Sequence, residues 1–380
     1  MNNKVSMIGN YGSWAAGLLK DPPELSFRRP EFGSVEDWRR KAEAKLLELL
    51  AIPARPALQE IEVGASFVSG DIVIDEVQWQ GPYGPPTKAL FLRPAGKPGH
   101  LPGVLAFHDH AGNKFFGHEK IADSRDSPHP LVREHRLEYY GGRAWPNELA
   151  GRGFAVLVPD VMPFGSRRVR TQDLPSSIAP AGVDEVTAGI RDIIAYNEWA
   201  AAHESIMAKS LFCAGTTWPG SFLLDDLCAL EYLQSRSEVD RERIGCAGLS
   251  GGGMRTLYLA GLDRRIKAAV CVCFMTTWRD LLLDNSAAHT WMVYTPHLPR
   301  YLDLPEIFAL RAPSPSFVQY CIEDPLFSLP EMRRSAEMLE AVFDKAGGRE
   351  HLMTRFYSGG HKFDVEMQED AFAWLGSMLG

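Results

Sequence analysis

The chain has 380 residues, 45% hydrophobic and 23% charged, with 34 Gly and 26 Pro. That composition belongs to a globular protein and excludes a disordered or low-complexity chain; the length predicts two domains or one large α/β domain carrying insertions. A formal charge of −8 argues against a protein that tracks nucleic-acid phosphates, and no stretch approaches the roughly 18 uninterrupted apolar residues of a membrane span.

The first residues hold no apolar run long enough for a secretory leader, so a cytoplasmic protein is expected. The six cysteines, at 213, 228, 246, 271, 273 and 321, read as free thiols, mostly buried in apolar runs, because Cys behaves as a small hydrophobe. Cys271 and Cys273, two apart on a strand, should share a face. No C-x-x-C spacing is present and no metal is assigned. The sequence does not disclose oligomeric state, and a homo-oligomer is left open.

Residues 1–60 read as an N-terminal helical extension. Its main helix is predicted over 35–50, with Ser34 as N-cap and Pro53 as the stop. Trp38, Ala42, Leu46 and Leu49–Leu50 recur at helical spacing on one face. From about 61 onward the pattern changes. Runs 71–79 and 87–93 flank the Gly-Pro-rich turn 81–86, which predicts an antiparallel hairpin. Apolar runs at 103–107, 154–158, 243–247, 267–274, 317–322 and 352–357 then alternate with helical stretches. Such alternation predicts a mostly parallel central sheet flanked by helices, an α/β architecture. Two long excursions, about 111–146 and 275–312, interrupt it as cap-like insertions.

The sharpest chemical signal is Gly248-Leu249-Ser250-Gly251-Gly252-Gly253. Ser250 follows an apolar strand and precedes a helical run, the strand–turn–helix context in which a G-x-S-x-G serine is lifted above a sheet. A serine hydroxyl needs a base to take its proton. His361, in the loop directly after run 352–357, is the candidate, preferred to His351 at the start of that strand. The base needs a carboxylate to hold its tautomer. Asp324 follows run 317–322, with Glu323 as alternative and Asp303 in reserve. The order Ser, Asp, His along the chain is that of the α/β-hydrolases. Oxyanion donors are expected from the backbone N–H of Gly251 and, after the strand 103–107, of His110.

These residues resemble the α/β-hydrolase superfamily, and more narrowly its dienelactone hydrolase-like and acetyl xylan esterase-like branch. The likeness rests on 107–112, 154–160, 239–253, 301–305, 323–327 and 360–363, and spans roughly 60–380. One position departs from the family pattern: Asp109 stands where Gly usually follows the loop histidine. The resemblance implies an α/β-hydrolase fold and a cofactor-independent serine esterase. Its substrates would be small carboxylic esters, with short acyl groups or carbohydrate or aromatic alcohols. Phe115, Phe116, Trp145, Phe164, Trp218, Met275 and Trp278 are candidate walls of the substrate pocket. Arg167 and Arg168 are weighed for an acidic substrate against an ordinary solvated loop.

Two other readings remain. One is a metal-dependent hydrolase using His108-Asp109-His110 with His118, His129 or His135. The other is a non-catalytic α/β-hydrolase-fold binding protein, against which stands a complete set of serine, acid and histidine. A dehalogenase would need Asp in place of Ser250. An oligopeptidase would carry a β-propeller ahead of the domain, and none is seen.

Overall fold

The computed structural model describes residues 6–54, 58–96 and 99–380. Parts of the N-terminal segment, 1–5 and 55–57, lie outside the described residues. The helix Val35–Leu50 starts where the Ser34 side chain accepts the Asp37 N–H at 3.3 Å. It stops at Ala51, which adopts the left-handed conformation at φ 48°. Trp38, Ala42, Leu46 and Leu50 are all fully buried, so the apolar stripe docks the extension onto the main body.

Among the described residues nine strands form one sheet: β1 (Gln59–Ser69), β2 (Ile72–Gln80), β3 (Thr87–Pro94), β4 (Leu101–Phe107), β5 (Ala155–Pro159), β6 (Val239–Leu249), β7 (Ile266–Val272), β8 (Ser316–Cys321) and β9 (Leu352–Tyr357). Their spatial order is β1-β2-β3-β5-β4-β6-β7-β8-β9. β1 to β3 and the β3–β5 pair are antiparallel, and everything from β5 through β4 to β9 is parallel. Strand β1 is one more than the sequence pattern shows; it lies at the sheet edge with Ile61, Val63 and Val68 exposed, so it lacks the apolar alternation that marks the others.

Side-chain alternation divides the core into two halves, one on each face. Leu105, Phe107, Ala155 and Leu157 pack on one side, and Val104, Ala106, Val156 and Val158 on the other. Strict alternation would put Cys271 and Cys273 on one face, but they lie on opposite faces. Strand β7 ends at Val272, and Cys273 turns out of it with φ 45°. Cys271 therefore joins one core and Cys273 the other. Among the described residues none of the six cysteines is in a disulfide, and only Cys213 is exposed. No helix among the described residues is long and apolar enough to cross a membrane.

The chain runs from β4 to β5 on one side, then returns to place β6 on the other side of β4. Such a reversal opens a crevice beyond the carboxyl ends of the two strands, where α/β sheets hold their ligands. The loops leaving β4 and β6 are 108–112 and the Ser250 turn.

Candidate active site

Ser250 joins β6 to the helix Gly251–Leu262 in a backbone conformation of φ 57°, ψ −114°. L-residues occupy that region only under strain, and the neighbours hold it there. The Ser250 N–H donates to Val272 O at 2.9 Å, and the Met254 N–H to Ser250 O at 2.9 Å. The turn also needs small residues: a Cβ at Gly252 would stand 2.3 Å from the carbonyl oxygen of Phe107. The run of glycines after the serine thus lets the helix start press against the end of β4.

His361 follows β9 and shares with Ser250 the lining of a cavity of about 540 Å³. Its Nδ1 lies 2.7 Å from Asp324 Oδ2. The other oxygen of Asp324 accepts the Leu326 N–H at 2.9 Å, and its side chain is fully buried. Nδ1 therefore carries the hydrogen given to the carboxylate, and Nε2 is left as the basic nitrogen. The alternatives weighed from sequence do other work. Glu323 accepts the Gly359 N–H and so braces the histidine loop. Asp303 caps the helix Leu304–Ala309 and accepts the Trp278 N–H at 2.8 Å. His351 hydrogen-bonds Pro313 O at an exposed position.

A Cβ on Gly251 would stand 3.0 Å from the backbone nitrogen of His110, so the two segments expected to supply the oxyanion donors lie against each other. The His110 ring is fixed separately. Its Nδ1 accepts the Gly112 N–H at 3.0 Å, so Nε2 carries the hydrogen, 3.0 Å from Glu204 Oε1. Glu204 comes from the long helix Ile190–Ala214 and also pairs with Lys114 Nζ at 2.7 Å. Its second oxygen accepts Thr290 Oγ1 at 2.7 Å and the Trp291 N–H at 3.0 Å. Burial works against its charge, but His110 and Lys114 outweigh it and hold the carboxyl at about 2. One buried carboxylate thereby ties the β4 loop to the insertion after β7.

Asp109 shows what the departure from the family pattern does. Its side chain turns inward, where Oδ1 accepts from Tyr140 Oη at 2.5 Å and lies 3.0 Å from His135 Nε2. Lys120 Nζ sits 3.6 Å from its other oxygen. The charge is buried but surrounded by donors, which keep it well below the usual carboxylate range. The insertion 111–146 is thus anchored beneath the loop by the residue that replaces glycine.

The histidines of the metal reading do not converge. His108 pairs with the Asp109 carbonyl, His110 with Glu204, His118 with Asp160, and His135 with the Asp109 carboxylate, while His129 caps the helix Pro130–Tyr140. Among the described residues, the groups whose ligand atoms lie close enough to hold an ion are Cys273 with Asp324 and His361, and His118 with Glu119 and Asp160.

Of the aromatic residues expected on the pocket wall, Phe164 lies there. The others do not. Trp145 packs on Phe363 and Phe372 in the core. Trp218, Met275 and Trp278 are buried in the opposite core half. Phe115 and Phe116 pack on each other away from the cavity, with Phe115 also on Tyr196. Large apolar side chains gain most by burial; Phe116, Trp145, Trp218, Met275 and Trp278 are buried and Phe115 is half-buried. Arg167 is buried against Tyr83 O and Asp225, and Arg168 pairs with Glu185; neither lines the cavity. The walls are instead Tyr139, Phe222, Phe274, Trp291, Met292 and Phe327, with others of the loops.

The same topology recurs in known proteins. A Bacteroides fragilis structure named as an acetyl xylan esterase superposes with a TM-score of 0.66 at 15% identity, covering 94% of this chain and 86% of that one. A glucuronoyl esterase from Teredinibacter turnerae does so with a TM-score of 0.59 at 16% identity, covering 96% and 90%. The chain has the α/β-hydrolase fold. Residues 216–380, which hold Ser250, Asp324 and His361, match the model of the prolyl oligopeptidase family. YtaP of Bacillus subtilis, named as a hydrolase, is 26% identical over 292 residues, 77% of this chain and 83% of its own. The α/β-hydrolase fold explains why the reversal point of the sheet, the serine turn and the loop after the last strand meet at one cavity.

Proposed function

We propose that this α/β-hydrolase cleaves carboxylic esters through an acyl-enzyme. Short acyl groups, or esters of carbohydrate or aromatic alcohols, are its substrate class. The observation that carries the reading is the 2.7 Å pair of His361 with buried Asp324 on the cavity that Ser250 enters from a strained turn. Ser250 Oγ attacks the ester carbonyl as His361 Nε2 takes its proton, and Asp324 stabilises the imidazolium that forms. The N–H groups of Gly251 and His110 hold the developing oxyanion. His361 then protonates the leaving alcohol, accepts a proton from water, and the resulting attack frees Ser250.

The names of the similar structures, acetyl xylan and glucuronoyl esterases, support ester rather than amide substrates. The oligopeptidase match makes peptide amides the competitor. Hydrolysis of p-nitrophenyl acetate through decanoate, beside a peptide p-nitroanilide, tests the choice. Ester turnover that falls at least roughly 10³-fold in Ser250→Ala supports the proposal. Amide turnover without ester turnover overturns it.

A further inference from the structure

Two buried side chains on the cavity wall each keep one hydrogen-bonding atom without a partner among the described residues: Arg255 Nη1 and His108 Nε2. Arg255 lies one turn into the helix behind Ser250 and is 2% exposed. Its Nε lies 3.0 and 3.2 Å from the two oxygens of Asp226, and Nη2 donates at 2.6 Å. Its guanidinium sits 4.2 Å from the centre of the Phe107 ring. That geometry fixes the group and leaves Nη1 as a free donor.

His108, the residue after Phe107, is 1% exposed. Its Nδ1 is 3.0 Å from the carbonyl oxygen of Asp109. A carbonyl oxygen only accepts, so Nδ1 carries the hydrogen. Burial, reinforced by the charges of Lys120 and Arg255, holds the imidazole well below its ordinary pKa. Nε2 is therefore a lone pair that wants a hydrogen.

One free donor and one free acceptor in a buried wall select among ligand groups. A carboxylate or a carbonyl would suit Arg255 but meet the lone pair of His108; an ammonium would do the reverse. A hydroxyl answers both, with its oxygen accepting from Nη1 and its hydrogen given to Nε2. Leaving such buried groups unmatched is costly, which is why sites built to bind a hydroxyl reject analogues that lack one.

We propose that Arg255 and His108 form a hydroxyl-binding subsite, and that the preferred substrates are esters bearing a free hydroxyl near the scissile bond. This rests on the ester hydrolase reading above. The hydroxyl can belong to the acid or to a polyol-like alcohol, and matched esters separate these sources. Methyl glycolate against methyl acetate places it on the acid. 2-Hydroxyethyl acetate against propyl acetate places it on the alcohol.

The expected result is a kcat/KM at least about tenfold higher for the hydroxylated member of one pair. That ratio should fall to within about threefold of unity in Arg255→Lys, which keeps a cation beside Asp226 but loses the second N–H edge, and in His108→Phe. Equal kcat/KM within both pairs for the unsubstituted protein overturns the subsite and leaves the ester reading standing. A preference that survives both substitutions overturns the assignment to these residues. If a variant does not fold, the comparison in the unsubstituted protein still decides whether a hydroxyl is read. Absence of turnover on all four esters, with Ser250 unlabelled by a fluorophosphonate, overturns both proposals.

Discussion

Replacing Glu204 by Gln isolates the buried carboxylate that joins the β4 loop to the insertion carrying Trp291. The side chain is 7% exposed and lies 2.7 Å from Lys114 Nζ, itself 2% exposed. A carboxyl held at about 2 in the folded chain against an ordinary 4.5 stabilises the fold by about 3 kcal/mol at neutral pH. Because the folded value is the lower one, this contribution is complete above about pH 4.5 and is lost as pH falls toward 2. Glu204→Gln keeps an acceptor for Thr290 and Trp291 but leaves Lys114 buried without an opposite charge, a loss of the same order. Urea unfolding at pH 7 should therefore show the variant about 3 kcal/mol less stable. The gap should close as both proteins are taken to acid. A gap below about 0.5 kcal/mol at pH 7, or one that does not change with pH, would refute the reasoning.

Asp324→Asn should lower kcat on esters by about 10⁴-fold while leaving the fold intact, because the amide can present its NH₂ to His361 and select the wrong tautomer; steady-state kinetics beside a thermal melt checks both halves. His118 gives a pH prediction of opposite sign to that of Glu204. Burial pulls it toward the neutral form, but the carboxylates of Glu119 and Asp160 prevail and raise it to about 9, with Asp160 Oδ1 2.8 Å away. Its contribution, about 3 kcal/mol, is complete below about pH 6.5 and lost as pH rises through 9. Thermal unfolding of His118→Gln should thus trail the unsubstituted protein at pH 6 and approach it by pH 10, and a constant gap would count against the pair.

Much of this architecture can be read from the chain because a doubly covered parallel sheet writes itself as short apolar runs. Strands β4 to β9 are such runs, and β2 and β3 are set apart by a Gly-Pro turn. The sheet edge is less legible: β1 exposes Ile61, Val63 and Val68, so no buried face imposes a pattern. Ser250, Asp324 and His361 are visible because each sits directly after a strand, where sequence position and spatial position coincide. The cavity wall obeys no such rule. Trp145, Trp218, Met275 and Trp278 are as apolar as any wall residue, and the core took them. Glu204 is one of three acidic residues in a 25-residue helix, and its importance comes from partners on two other segments. Asp109 was legible as a departure, but its inward turn depends on Tyr140 and His135 being beneath it.

The most direct test of the central claim is active-site titration with a fluorophosphonate followed by peptide mapping. The account predicts one label per chain, on Ser250, with ester turnover falling in proportion to labelling and no label on Ser250→Ala. A label carried on another residue, or a Ser250→Ala variant that turns over esters within tenfold of the unsubstituted protein, would contradict it.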